Sequence, residues 1–294
     1  MPCESKRTVA RIMTLIAAFI WGTSFVVIRW GLLFISPMKF VFLRFLIAFI
    51  IFMLLSKFYF NARNFSKILF DRLILIAGIF NALGYIFQFI GQAYTYATNA
   101  SLLVNLSSVF VAIIARFLLG EKLTIFRASA IFLAFIGTLL LITELSSTTL
   151  FQRTFIGDLI CLLSGLSWAF YIVLSKKIAY KEINEVLLLA VWFFYVVIFS
   201  APFALLESSS NISFRALVAV LYTSIFCTAI AFLLWFKGLK ILEAVTSSVY
   251  FLIEIVISAI LEAIIFGLSF SIIKIIGAVL ICVGIVLIDV SYHK

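Results

Sequence analysis

Histidine is almost missing from this 294-residue chain, and the single one, His293, sits at the tail. Histidine-based acid–base chemistry inside the protein is therefore excluded. Charge is scarce: only 12% of residues are charged, about half the share of a soluble domain. Cys3, Cys161, Cys227 and Cys282 are far apart. They lack the spacing of a metal site or a disulfide framework and read as small packing residues. There is no Walker-type phosphate loop, no Gly-x-Ser-x-Gly elbow and no His-Glu-x-x-His motif. The sequence thus gives no sign of ATP hydrolysis or of an enzyme, and no cofactor or metal is expected.

Apolar residues are what the chain has in abundance. They make up 66% of it, at a mean hydropathy of +1.30. A soluble fold could not hide so much apolar surface, so the bilayer is the natural solvent. Segments of the ~20 apolar residues that a span needs fall at 12–33, 38–56, 72–93, 99–119, 126–143, 157–176, 185–206, 215–236, 246–266 and 272–290. The fold class expected is an all-α, polytopic membrane protein with ten transmembrane helices. The first segment is too long for a signal-peptide core and lacks a small-residue cleavage site before Ser36-Pro37. It is read as a retained helix rather than a cleaved leader.

The net charge of +10 could suggest nucleic acid, but the cations sit at helix ends. Sixteen Lys and Arg residues fall on one set of alternate connections and termini, among them Arg11, Lys67, Arg72, Lys122, Arg127, Lys176, Lys181 and Lys240. Only Arg29, Lys39, Arg153, Arg215 and Lys274 fall on the other, and Arg44 lies inside the second helix. Positive loops stay cytoplasmic, so both termini are expected there, and nucleic acid is not an expected partner.

The chain repeats at an offset of 147 residues. Trp21 pairs with Trp168, Gly91 with Gly238, Gly120 with Gly267 and Gly137 with Gly284. Between Ala97 and Gly120, six of 24 positions are identical at that offset, more than biased composition supplies. Residues 1–147 and 148–294 thus form two five-helix repeats. An odd number of helices per repeat makes the second enter the membrane inverted. Such repeats place a binding site near the midplane where they meet; a repeat kept only for packing is the alternative.

Polar residues inside spans face a bundle interior or a wet cavity, since facing lipid is costly. Asn81, Tyr85, Gln88 and Gln92 share one face of the third helix, as Ser164, Trp168, Tyr171 and Ser175 do on the sixth. Ser247, Tyr250, Glu254, Ser258 and Glu262 wind round the ninth. Trp21, Thr23 and Ser24 mark the first; Ser101, Asn105 and Ser108 mark the fourth. The expected substrate-binding residues are Trp21, Ser24, Asn81, Tyr85, Gln88, Trp168, Tyr171, Tyr250 and Glu254. Interhelical hydrogen bonding is the competing role for such groups.

Glu254 lies near the midplane, where it could pair with a substrate amine, carry a proton, or bond a neighbouring helix in its protonated form. Glu262 lies closer to the interface, within reach of water. Arg44 either snorkels outward or holds a buried acceptor and attracts an anionic group. The indoles of Trp21 and Trp168 either wall a cavity or pack with the N–H bonded to a neighbour. Trp192 and Trp235 read as belt or packing residues.

Ile20-Trp21-Gly22-Thr23-Ser24-Phe25, Leu43-Arg44-Phe45-Leu46-Ile47-Ala48, the stretch from Ala93 to Leu103, and Gly120-Glu121-Lys122-Leu123-Thr124 resemble the EamA-like branch of the drug/metabolite transporter superfamily. The second copy departs from that pattern. Gly267-Leu268-Ser269 stands where a Gly-Glu turn is expected, and the ninth helix lacks the proline often found there. The resemblance implies ten helices, cytoplasmic termini, and import or export of a small metabolite, often an amino acid, by alternating access. A multi-pass protein of the bacterial inner membrane is then expected, with membrane lipids and a small-molecule substrate as partners and a homodimer as an open alternative. A larger amphiphile such as a nucleotide-sugar would need several basic residues in the cavity. A non-transporting scaffold would need no cavity.

Overall fold

The computed structural model describes residues 2–56, 62–95, 97–142, 154–207, 212–266 and 271–290. Lys57, Asn61, Tyr96, the Glu144–Arg153 break, Asn211, the Gly267–Ser269 turn, His293 and Lys294 lie outside the described residues, as do the side chains of Cys3 and Arg63. Every regular element among the described residues is helical. The first three spans are α1 (Pro2–Gly31), α2 (Pro37–Ser56) and α4 (Arg72–Tyr94), with a short helix α3 (Ala62–Leu69) between the second and third. The fourth span is two pieces, α5 (Ala97–Asn105) and α6 (Ser107–Leu118), and the fifth is α7 (Ile125–Ile142). The sixth and seventh are α8 (Thr154–Ala179) and α9 (Glu185–Leu206). The eighth runs from α10 (Phe214–Tyr222) through a π-helical stretch, Thr223–Ile230, into α11 (Ala231–Ile241). The ninth is α12 (Ala244–Tyr250) and α13 (Ile253–Phe266), and the tenth is α14 (Ile272–Val290).

By length and apolarity eight of these can cross a membrane; the fifth and tenth are shorter apolar helices, Ile125–Leu140 and Ile272–Ile288. The chain is a multi-pass membrane protein of the expected class. Exposed Leu54, Phe132, Leu205, Ile264 and Val286 are normal for such a protein, because their side chains face hydrocarbon rather than water.

Helix pairing follows the repeat. The third span packs on the sixth, and the first on the eighth. The sixth packs on the fourth, and the first on the ninth. The second pairs with the seventh, the fifth with the tenth, and the fourth with the ninth. Exchanging the two halves maps every one of these pairings onto another or onto itself, which is what a two-fold relation demands.

Small residues let the backbones close up. A Cβ on Gly22 would stand 2.7 Å from Cβ of Ile257 and 3.1 Å from Cα of Glu254. The first span therefore rests on the ninth beside its most polar residue. Gly22→Ala is expected to destabilise the protein by about 1–3 kcal/mol through overpacking. A lowered melting temperature in detergent, with Ala18→Gly as a neighbouring control, checks it.

Three spans depart from the continuous helices expected from hydropathy. The fourth breaks at Leu106 and the ninth at Phe251–Leu252, one residue away from the repeat position of Leu106. Through the second break the amides of Phe251, Leu252, Glu254 and Ile255 bond three residues back, to Ser248, Val249, Phe251 and Leu252. Such tightened turns within a helix mark hinges or strain. The eighth span loosens instead, into its π stretch. Each departure lies next to a polar residue that the helix has to place.

Candidate functional site

A cavity sits among the broken helices, lined by fourteen residues of both halves. Ten of the fourteen form five pairs at the 147-residue offset: Trp21 with Trp168, Phe25 with Ile172, Gln88 with Trp235, Val104 with Phe251, and Ser107 with Glu254. The cavity thus lies on the two-fold relation between the halves. Ser24, Arg44, Tyr85 and Asn105 complete it, and all four come from the first half. The space open to the centres of water molecules is about 40 Å³. That holds a few waters and is far less than the roughly 300 Å³ at which small-molecule sites begin. The cavity is small.

Its walls are aromatic. The Trp21 ring packs at 5.2 Å on both Phe232 and Phe251, and Tyr85 meets Trp168 edge-on at 4.9 Å. The two repeat-related indoles differ in one respect. Trp21 Nε1 donates to the carbonyl of Cys227 at 2.7 Å, whereas Trp168 Nε1 is buried without a partner. One indole N–H is spent on the scaffold, and the other has no protein partner.

Arg44 does not snorkel: it is 1% exposed. Its Nε donates to Thr228 Oγ1 at 2.7 Å, and Nη2 reaches the Cys227 carbonyl at 3.4 Å. Its guanidinium carbon lies 5.0 Å from the Tyr85 ring centre, 5.5 Å from Phe45 and 5.8 Å from Phe89. The π stretch of the eighth span explains the first two contacts. Winding to i→i−5 bonds turns Cys227 and Thr228 toward α2, and the Thr228 hydroxyl hands its own proton to the Thr223 carbonyl at 3.0 Å. A cation at mid-membrane costs about 3 kcal/mol, and ring faces and acceptors offset this. Nη1 remains buried with no partner. No carboxylate among the described residues forms an ion pair with Arg44.

Glu254 is the other charged residue of the lining. It is 5% exposed, and its Oε2 accepts from Asn105 Nδ2 at 3.2 Å. Asn105 also donates to Ser101 O at 2.8 Å, which fixes its amide beside the break of the fourth span. The two broken helices therefore meet through this bond.

Six of the nine residues expected at the site line the cavity: Trp21, Ser24, Tyr85, Gln88, Trp168 and Glu254. Asn81, Tyr171 and Tyr250 do not. Asn81 lies one turn nearer the cation-rich end than Tyr85, about 6 Å along the helix, and both of its side-chain polar atoms are buried without partners. Tyr171 stands behind Trp168, 5.5 Å away, between Trp192 and Trp235. Tyr250 is fully buried in the packed core. Trp235, read as a belt or packing residue, instead lines the cavity and donates to Ser247 Oγ at 3.0 Å. Its repeat position is that of Gln88, and this was the signal available in the sequence. Among the described residues no cluster of His, Cys, Asp and Glu could hold a metal.

Beyond the cavity toward each end lie more polar groups without partners. Asn81 lies toward the cation-rich end, and the Gln92 amide, Asn99 Oδ1 and Ser258 Oγ toward the other. A buried unmade hydrogen bond costs about 1–3 kcal/mol, so water entering from either end would relieve these groups.

A small, aromatic-walled hollow with a few polar groups, set between two related halves of a multi-pass protein, suits a membrane transporter. The sequence profile of the EamA-like transporter family matches residues 8–143 and again residues 155–289, and the chain belongs to that family. An uncharacterized transporter of Archaeoglobus fulgidus is 32% identical over 247 residues, covering 81% of this chain and 83% of its own. Transporter YyaM of Bacillus subtilis is 30% identical over 220 residues, with 72% and 70% covered. A solved crystal structure matches 96% of this chain and 97% of its own at a TM-score of 0.79 and 19% identity, a likeness of fold.

Proposed function

We propose that the protein moves a small zwitterionic metabolite, an amino acid or similar compound, across the bacterial inner membrane by alternating access. One observation carries this reading: Arg44 and Glu254 face the same aromatic cavity, and no ion pair joins them. A guanidinium and a carboxyl left without each other in a low dielectric suit a ligand that bears both complements, the carboxyl giving up its proton as an amine arrives. The ligand carboxylate meets Arg44 Nη1 and the Trp168 indole N–H, and its ammonium meets Glu254. The aromatic rings take its apolar body.

The halves 1–147 and 148–294 act as the two inverted units, with both termini in the cytoplasm, where the sixteen cations lie. Glu254, when no amine is bound, is the candidate proton carrier. A nucleotide-sugar or a lipid-linked phosphate fits less well, because Arg44 is the only cation among the described residues of the lining. A scaffold gives no reason for unpaired charges around a hollow. The test is uptake into liposomes containing the purified protein, across a panel of labelled amino acids, amines and carboxylates. Solutes carrying both charges are expected to be taken up. Inactivity across the whole panel would contradict the reading.

A further inference from the structure

The connections between the third and fourth spans and between the eighth and ninth are each held by a cation and a carboxylate that come from other parts of the chain. At one end, Arg29 of α1 donates through Nη1 to the carbonyl of Thr95, the residue just after α4, at 2.7 Å. The Glu262 carboxylate of α13 accepts from the amide of Ala97, the first residue of α5, at 3.2 Å. Arg29 and Glu262 pair at 3.9 Å.

At the cation-rich end, Lys176 of α8 donates to the Leu239 carbonyl at 2.8 Å and the Lys240 carbonyl at 3.4 Å, in the last turn of α11. The Glu121 carboxylate accepts from the amides of Ala244 and Val245, the first residues of α12, at 2.8 and 3.0 Å. Burial raises the Glu121 carboxyl above its ordinary range, while the two amides and Lys176 work the other way.

Arg29 and Lys176 are repeat partners at the 147-residue offset, and so are Ala97 and Ala244. The carboxylates are not. Glu121 follows the positive-φ Gly120, which turns the chain sharply after α6. At the matching place the second half has Leu268, whose side chain cannot accept a hydrogen bond. Glu262 does the work from within α13 instead, where its side chain is only 4% exposed. It does not reach out to water as its place in the sequence suggests. The same contact survives with its acceptor moved, which points to a requirement for the contact itself.

We propose that these two clamps, Arg29 with Glu262 and Lys176 with Glu121, are the gate latches of the transporter. Each fastens the mouth on its own face, and opening that face requires its release. Each clamp ties the start of a broken span to the opposite half: Glu262 holds α5, and Glu121 holds α12. Releasing one frees the half-helix that leads to Asn105 or to Glu254. Both clamps are formed here, and the cavity between them is small. These residues position the gates and touch no substrate. The proposal rests on the alternating-access reading above.

The test places a single cysteine in the cavity, Ser107→Cys, with the four native cysteines replaced. Labelling by a membrane-impermeant maleimide is then timed from each face in sealed vesicles of known orientation. In this background labelling is expected to be slow from both faces. Glu121→Ala and Lys176→Ala should each speed it about tenfold from the cation-rich face, the effect of losing roughly 1.4 kcal/mol of latch. Glu262→Ala and Arg29→Ala should speed it by the same factor from the opposite face. With two variants per clamp, a misfolded one leaves the comparison standing. Unchanged labelling, or acceleration from one and the same face in all four, would overturn the latches. Persistent wild-type exchange of solute alongside that result would leave the transport reading intact, so the two failures can be told apart.

Discussion

Replacing Arg44 with lysine is expected to cut uptake of carboxylate-bearing solutes by about 10- to 100-fold, the value of one lost charge-assisted hydrogen bond in a dry site. The variant keeps the positive charge and so separates charge from geometry. The guanidinium uses Nε and Nη2 on Thr228 and Cys227 and keeps Nη1 free. Lysine has one nitrogen for all these tasks and cannot hold the π stretch and a ligand together. The loss should fall on carboxylates, while binding of amines without a carboxylate changes little. Arg44→Ala should lose more and also melt earlier, because it leaves the Tyr85 face and the Thr228 hydroxyl without their cation. A melting curve for Arg44→Lys near that of the wild type, with uptake lost, would assign the residue to the ligand. Equal loss for carboxylates and simple amines would assign it to the scaffold.

The second large effect is expected at Glu254→Gln. Glutamine can still accept from Asn105, so the join between the fourth and ninth spans survives. It can neither pair with an ammonium nor carry a proton. Uptake driven by a pH gradient should fall about 10- to 100-fold, and a zwitterion should lose its advantage over the matching carboxylate without an amine. Measuring uptake with and without an imposed gradient separates these roles. If solute selectivity changes but the response to the gradient does not, Glu254 binds the amine and carries no proton. If neither changes, both roles fall.

Hydropathy placed all ten spans, because a span is fixed by the length of its apolar run, but it began the first ten residues late, at 12 where the helix starts at Pro2, and gave no sign of the short helix Ala62–Leu69. It could not show the interruptions. Leu106, Phe251 and Cys227 sit within runs whose hydropathy reads as unbroken helix, although Asn105, Ser107 and Thr228 stand beside two of them, and the breaks follow from tertiary demands. Arg44 needs acceptors from the eighth span, and Glu254 needs Asn105. Those partners lie 184 and 149 residues away along the chain, and no local pattern reports such distances.

The polar stripe of the third span was legible as buried, and the repeat made Trp21 and Trp168 equivalent. The stripe overreached at Asn81, since helical spacing gives a face but not how far along it a cavity extends. Two signals in the repeat itself carried more than composition could. Trp235 shares its register with Gln88, and Arg29 shares its with Lys176. Counted as loop charges, the latter pair spoke only of topology. Glu262 was hidden because it replaces the missing acid of the second turn from a different register.

The most direct test of the central claim is counterflow. Liposomes containing the protein are loaded with an unlabelled amino acid, and entry of the labelled form is followed as the internal concentration is raised. Two halves that expose one Arg44–Glu254 cavity to each side in turn predict saturable entry that internal substrate accelerates, and no acceleration by an internal amine that lacks a carboxylate. Entry that ignores what is inside, or that is accelerated equally by solutes of either charge alone, would contradict a single zwitterion site with alternating access.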